Sequence, residues 1–537
     1  MKNYNKYFAR FKQVLLFASF GIGLFGCTKK FEEYNSDPRA LTNEQSLVAL
    51  PSAFPSIQQA IYSNYQVAQN LSADGYAGYF MSPTPFKSAY NLNYFLVDAW
   101  NSSGFNDQYT KVFASINAMA KLDVQTTHPD WWAIALILKV EAMHRVTDKY
   151  GPIAYSEAGT AITNIAYDSQ QEVYTQFFAE LDTAIANLHK FISANPTSTP
   201  LKGNDAIYDG DYTKWLKFAN SLRLRLAMHL VNIDKGTAQA EGEKALADAG
   251  GLLTTAADNA AITQAGGREN DFYQEGHDWG DLRISAAITS YMNGYKDPRL
   301  SIYFTPAVDV ALGGLYTGIR IGSNLPSKDD YEGYCNLNYS TFFAYTSPQL
   351  IMTASEIWFL KAAASLRGWA NAGDLATNYT TGIQTSMNQW GVSSANALTF
   401  INDATSKPAN YVDPKNAANN INALSSITIK WDATSSKEVM LERIITQKWL
   451  AMFPEGQEAW TTYRRTGYPR LFPVVNNTSN GTISTALQIR RINYPSNEYS
   501  SNKDAVTAAV TLLGGPDTGG TPLWWDTNKG QATPVNF

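Results

Sequence analysis

Residues 205–225 read Asp205-Ala-Ile-Tyr-Asp-Gly-Asp-Tyr-Thr-Lys-Trp-Leu-Lys-Phe-Ala-Asn-Ser-Leu-Arg-Leu-Arg225. The first seven are turn chemistry, because short acids and a glycine bond the backbone locally and accept unusual dihedrals. Asp211 is placed to cap a helix ahead of Trp215. Trp215, Phe218, Leu222 and then Leu226 recur at helical spacing and form one apolar stripe, with Arg223 and Arg225 pointing elsewhere. Turn, cap and stripe predict a helix over 212–231. Asp205, Asp209 and Asp211 would also suit a calcium loop, since hard cations gather several oxygens. Turn and cap chemistry explains them more simply, so no cofactor is expected and a structural calcium ion stays an open alternative.

Working outward, the segment 131–146 is apolar nearly all round and predicts a buried helix. Residues 170–191 are amphipathic. Thr353 with Glu356, and Ser435 with Glu438, are spaced as capping boxes ahead of apolar stripes. The helical segments fall into neighbouring pairs: about 130–147 with 170–191, 212–231 with 237–250, 355–370 with 373–390, and 437–453 with 456–466. Small residues such as Ala362, Ala363 and Ala364 let helix backbones approach. The pattern predicts a mainly α chain: tetratricopeptide-like helix pairs, with a long-loop, mixed subregion packed on them. Residues 72–108, 252–280, 300–348 and 391–434 carry little sustained helical pattern. Loops of that length in a compact domain are usually functional, and the aromatics concentrate there.

Composition narrows the function. Hydrophobic residues are 45% of the 537, enough for a real core. Charged residues are only 17% while aromatics are 13%, a surplus that suits recognition surfaces as well as packing. The first 26 residues carry four basic and no acidic side chains, so without them the formal charge moves from -5 to -9. That charge, with no basic stripe, argues against a nucleic-acid partner.

The N-terminus reads as an export signal. Lys2, Lys6, Arg10 and Lys12 precede an apolar run over 14–26, too short for a stop-transfer helix. It ends Leu24-Phe25-Gly26-Cys27, which resembles a bacterial lipobox with Phe25 in place of the usual small residue. The expected layout is a signal peptide over 1–26, a lipidated polar tether over 27–50 starting at Cys27, and one domain over 51–537. An ordinary signal peptide that contains a cysteine is the other reading. The second cysteine, Cys335, then has no disulfide partner and is expected as a small, half-buried hydrophobe.

Catalytic motifs are absent. Gly21, Gly23 and Gly26 match G-x-G-x-x-G only inside the signal segment. The five histidines, His128, His144, His189, His229 and His277, show no metal-ligand spacing, and His144 and His229 are expected to be packed within helices. Acids are the one route to an enzyme. Asp271, Glu275, Asp278 and Asp281 could in principle supply the two carboxylates of a glycoside hydrolase. Solvated loop acids, with Asp281 near a helix start, are the simpler account.

Several ordered blocks carry a resemblance. The 205–225 stretch is followed by Asp297-Pro-Arg299 and by Thr353-Ala-Ser-Glu-Ile-Trp-Phe-Leu-Lys-Ala-Ala-Ala-Ser-Leu-Arg-Gly368. Gln447-Lys-Trp-Leu450, Gln457-Glu-Ala-Trp-Thr-Thr-Tyr-Arg-Arg-Thr-Gly-Tyr-Pro469, Arg491-Ile-Asn-Tyr-Pro-Ser-Asn-Glu498 and Leu523-Trp-Trp-Asp526 come next. Together with the lipobox, they resemble the SusD/RagB-like family of Bacteroidetes outer-membrane lipoproteins. The resemblance implies a right-handed superhelical scaffold of tetratricopeptide-like pairs and a non-enzymatic, lipid-anchored protein facing the cell exterior. It would bind oligosaccharides, or in some members peptides, and pass them to a SusC-like TonB-dependent transporter. Glu32-Glu33 resembles the surface-export signal of such lipoproteins. A surface glycoside hydrolase and a peptide-binding lid are the alternative functions, with a protein-binding helical adaptor third.

Within the blocks, Glu458, Trp460, Arg464, Arg465 and Tyr494 are expected to hold the core, the two arginines by pairing with carboxylates. A sugar presents a C–H face and a hydroxyl rim, which rings and polar side chains match. The candidate ligand-binding residues are therefore loop aromatics: Tyr76, Tyr79, Trp100, Tyr273, Trp279, Tyr331 and Tyr334, of which two or three would form a shallow platform.

Overall fold

The computed structural model describes residues 42–86, 89–159, 164–263 and 268–537. The signal segment, Cys27 and Glu32-Glu33 lie outside them. Residues up to Leu50 form one unit, whose described part is the helix Asn43–Ala49 under a Thr42 capping box. Residues 51–537 form a second compact unit. No helix of the described residues is long and apolar enough to cross a membrane.

The second unit is mainly helical, and three of the four expected helix pairs are packed: α1 (Pro129–Tyr150) with α2 (Gln170–Ala194), α3 (Tyr212–His229) with α4 (Lys235–Ala247), and α5 (Ala354–Leu366) with α6 (Leu375–Gln389). In the fourth, α7 (Lys437–Ala451) is followed by α8 (Gly456–Thr466), but α8 packs chiefly on the helical turns Gln66–Asp74 and touches α7 through Lys448 and Glu458. α2 also packs on α3, and α5 on α7 and α3. Small residues set the approach of α5 and α6. Ala362, Ala363 and Ala364 are buried, and a Cβ on Gly382 of α6 would stand 2.9 Å from the Phe359 ring of α5.

α3 starts as its sequence dictates. The Asp211 side chain accepts from the amides of Thr213 (3.0 Å) and Lys214 (3.1 Å), and the stripe of Trp215, Phe218, Leu222 and Leu226 is fully buried. The flanking arginines, however, are buried too. Arg223 pairs with Asp182 of α2 and with Glu241 of α4 at 3.2 Å, riveting three helices. Arg225, 0% exposed, makes a two-pronged bond to Glu356 of α5, at 2.9 and 2.7 Å. Hydrophobic periodicity cannot foresee this, because the polar face of α3 is buried against charges brought from distant segments.

Those charges form one buried network. His144 of α1 lies 3.1 Å from Asp148 and 3.3 Å from Glu141. Burial opposes its charged form, but Glu141 and Asp148 prevail and raise its pKa to about 9. His229 bonds Glu458 at 2.8 Å, and Lys448 of α7 bonds the same carboxylate at 2.9 Å. Arg145 joins Glu141 and Glu455, both at 3.3 Å. So His144 and His229 are packed as expected, inside a lattice tying α1, α3, α5, α7 and α8 together. Arg464 departs from expectation. It donates to the carbonyls of Arg490 (2.8 Å) and Asp148 (2.6 Å) and lies 3.5 Å over the Trp460 ring, rather than meeting a carboxylate. Glu458, Trp460 and Tyr494 are core residues.

The caps shift slightly. Thr353 accepts from the Glu356 amide, but the Glu356 carboxylate is spent on Arg225 instead of closing the box. α7 is capped by Ser436 rather than Ser435, and Glu438 bonds Asn536. Helical structure also fills much of the expected first loop, at Gln66–Asp74 and Asp98–Asp107. The latter reads Asp-Ala-Trp-Asn-Ser-Ser-Gly-Phe-Asn-Asp, too polar to show a stripe. It is held instead by bonds such as Asn91 Nδ2 to Asn101 Oδ1 at 2.9 Å.

Strands are short and form three antiparallel two-stranded ladders among the described residues: β1 (Phe80–Met81) with β3 (Arg283–Ile284), β2 (Ala260–Ile262) with β6 (Gln349–Met352), and β4 (Phe304–Thr305) with β5 (Asn336–Leu337). β1 with β3, and β3 beside β5, link the first loop segment to 300–348, while β2 with β6 joins 260–262 to the strand just ahead of α5. Cys335 is fully rather than half buried, and burial pushes its thiol well above the ordinary range.

Candidate functional site

The segment 270–281 carries the platform chemistry. Asn270 caps a single turn through the amides of Phe272 (3.0 Å) and Tyr273 (3.3 Å), and a short π-helical turn, Gln274–Asp278, follows. Tyr273 and His277 stack, with centroids 4.3 Å apart and planes 21° apart. Tyr339 and Tyr345, from the segment after β5, each meet Tyr273 edge-on at 5.7 Å. Gly276 makes that closeness possible, since a Cβ there would collide with the Tyr339 hydroxyl. Trp279, Phe342 and Tyr345 are 46%, 42% and 44% exposed. Tyr273, His277, Tyr339 and Tyr345 thus form a shelf of rings that hold one another; the exposed Trp279 follows it two residues after His277, and Phe342 packs on Trp390.

Of the seven sequence candidates, Tyr273 and Trp279 lie here. Trp279 is fixed through its carbonyl, which accepts from Lys328 Nζ at 2.7 Å; the same ammonium pairs with Asp281 at 3.0 Å. Trp100 is half-buried, its ring edge-on to Phe86 at 5.2 Å. Two residues before Phe86, Thr84 donates to Asp281, so one short segment connects Trp100 with the Trp279 loop.

The other four candidates are core residues. Tyr76 is buried and donates to the Asn91 carbonyl at 2.9 Å. Tyr79 is buried, stacks on Trp449 at 5.4 Å and donates to its carbonyl. Tyr331 and Tyr334 stack on each other at 5.1 Å, both buried, with the Tyr334 hydroxyl on Asp413 at 2.7 Å. An aromatic in an irregular segment pins that segment to the core as readily as it faces solvent, and sequence cannot separate the two uses. The aromatic run at 339–345 was the unused signal for Tyr339, Phe342 and Tyr345.

The acids of 270–281 do not face one bound ring together. Asp271 pairs with Arg268; burial raises its carboxyl to about 6 against that pairing. Asp278 is exposed and contacts His277 at 2.8 Å. Asp281 is held by Lys328, Thr84 and Gln66, in an irregular segment rather than at a helix start. Glu275 is 2% exposed, and its Oε2 has no hydrogen-bond partner. Burial, then Asp271, Asp74 and Asp281, push its pKa well above the usual carboxyl range.

A buried Glu275 carboxyl, biased toward its neutral form, therefore lies within the ring-bearing turn. Its folded pKa exceeds the unfolded value of about 4.3, so its contribution is complete below that pH and is lost as pH rises toward the folded value. Glu275→Gln mimics the neutral form at all pH. The melting temperature of the variant minus that of the parent should grow from pH 4 to pH 8; a constant difference would refute this account.

Two open clefts, of about 530 and 550 Å³, lie elsewhere and are lined by none of the seven candidates. The aromatic shelf is a surface rather than a pocket, which suits an extended ligand lying across it. The acids of the suggested calcium loop are otherwise engaged. Asp211 caps α3, Asp209 accepts from the Gly203 amide at 2.7 Å, and both Asp205 oxygens are bonded within the protein.

A family model described as "Susd and RagB outer membrane lipoprotein", SusD-like, matches residues 33–526. Among solved structures, a chitin-binding SusD homolog from Flavobacterium johnsoniae is 40% identical, covering 91% of this chain and 100% of its own, with a TM-score of 0.86. A SusD homolog from Bacteroides vulgatus is 37% identical over 91% of this chain and 100% of its own, with a TM-score of 0.84. One from Bacteroides uniformis is 37% identical over 89% and 99%, with a TM-score of 0.82. None of the curated proteins compared matches the chain.

Proposed function

The chain belongs to the SusD-like family of outer-membrane lipoproteins, and from that premise we propose that it is an outward-facing receptor for oligosaccharides. It is anchored through Cys27 and hands its ligand to a SusC-like TonB-dependent transporter without chemical change. The observation that carries the glycan reading is the ring shelf of Tyr273, His277 and Tyr345, with the exposed Trp279 two residues further along the same turn. Rings braced by other rings are preorganised, so little side-chain entropy is lost when a sugar face settles on them. A 40% identical relative binds chitin, which makes N-acetylglucosamine oligomers the first glycans to examine.

Titration with chitin oligosaccharides of increasing length tests this. Trp279→Ala should weaken binding by about 1–2 kcal/mol, roughly tenfold, the size of a single well-placed ring contact. Oligosaccharide affinity unchanged by Trp279→Ala and Tyr273→Ala together would remove the shelf as the site. Release of new reducing ends on prolonged incubation would exclude a binding-only role. Co-purification of a large β-barrel protein with the full chain supports the hand-over; a clean monomer in mild detergent counts against it.

A further inference from the structure

Three cations converge where α4, α5 and α7 meet. Lys235 opens α4, Lys437 opens α7 and Arg367 ends α5. They line a cleft of about 290 Å³, walled by Trp369 and Phe537 and edged by Gln239 and Asn536. No Asp or Glu side chain among the described residues lies within ion-pairing distance of the three.

Arg367 is half-buried, and its hydrogen bonds are long: 3.4 Å to the Ala363 carbonyl and 3.4 Å to the Asn536 carbonyl. Its guanidinium lies 4.7 Å over the Phe537 ring, and Lys437 Nζ lies 5.7 Å from the same ring. Burial and then Arg465 press its pKa down to about 9, against Glu438. Glu438 is itself held by Asn536, at 2.7 Å from the side-chain amide and 3.3 Å from the backbone. With only two long carbonyl bonds, the Arg367 guanidinium keeps planar donors ready for an incoming carboxylate.

We propose that this cleft binds a small hydroxylated ring bearing a carboxylate, the chemistry of a hexuronate. Arg367 and the two lysines surround the carboxylate, the ring lies against Phe537, and the side-chain oxygen of Gln239, whose Nε2 is held by Glu243 at 2.8 Å, meets a hydroxyl at the cleft edge. The volume admits one such ring and little more. The cleft shares no residue with the aromatic shelf, so the inference goes beyond the glycan reading and can fail without it.

Calorimetric titration of the purified full chain with glucuronate, glucose and sulfate tests the proposal. Glucuronate should bind in the millimolar range, more tightly than glucose and more tightly than sulfate. Arg367→Met should weaken it about tenfold or more. The Lys235→Met/Lys437→Met pair should do the same, and because both side chains are exposed it serves even where Arg367→Met does not fold. Trp279→Ala should leave glucuronate binding unchanged. Glucose binding as tightly as glucuronate, sulfate doing so, or undiminished affinity in the lysine pair would each overturn the proposal.

Discussion

Glu356→Ala should destabilise the protein by about 3–5 kcal/mol, the range for removing one partner of a buried ion pair. The reason lies in what remains. Arg225 is 0% exposed, and after Glu356 its nearest carboxylate is Glu141 at 3.6 Å. Lys448, 3.6 Å from Glu356, loses a second counter-charge but keeps Glu458 and Thr462, each at 2.9 Å. The stranded guanidinium carries most of the effect. A paired change, Glu356→Ala with Arg225→Met, leaves no orphan charge and should recover at least about 1 kcal/mol of the summed losses, a coupling typical of contacting residues. Chemical denaturation of the four proteins measures both quantities. A loss under about 1 kcal/mol for Glu356→Ala would mean that water or rearrangement reaches Arg225, and the network would not be the tie between α3 and α5.

How much of this was readable in advance depends on the type of signal. Helix pairing was legible, because the stripe Trp215-Phe218-Leu222 and the cap at Asp211 are local facts. The helix Asp98–Asp107 was not, because polar residues held by Asn91 and its neighbours leave no periodic trace. Arg223 and Arg225 do point away from the stripe, but their burial was not legible, because their partners Asp182, Glu241 and Glu356 lie far along the chain. At the candidate site the ring types were legible but their direction was not. Tyr273 and Tyr79 look alike in sequence, yet one sits on the shelf and the other donates to the Trp449 carbonyl inside the core. The separation depends on Gly276, whose missing Cβ lets Tyr339 close on the turn, a contact between segments that only the fold brings together.

The second large effect returns to residue 205. Asp205 is buried and its two oxygens serve five donors. Oδ1 accepts from Gln58 Nε2 at 2.8 Å and from the amides of Ile207 and Tyr208 at 3.0 and 3.2 Å. Oδ2 accepts from Trp215 Nε1 at 2.7 Å and from the Gly210 amide at 2.9 Å. This one carboxylate thus shapes the turn, docks it on Gln58 and orients the first large ring of α3. Asp205→Ala leaves five buried donors without an acceptor, each worth about 1–3 kcal/mol when unmet. Relaxation of the turn limits the total to about 3–5 kcal/mol. Asp205→Asn should be nearly as damaging although it preserves shape, because whichever way the amide turns, its own N–H groups face donors. That result also decides between structural roles for the acids of 205–211. If Asp205 were a calcium ligand, a chelator would lower the melting temperature of the parent and calcium would restore it. With both oxygens already engaged, the expected melting temperature is the same with chelator or calcium, and the damage in Asp205→Asn should be insensitive to either. A melting temperature that follows calcium would return residues 205–211 to the ion-binding reading.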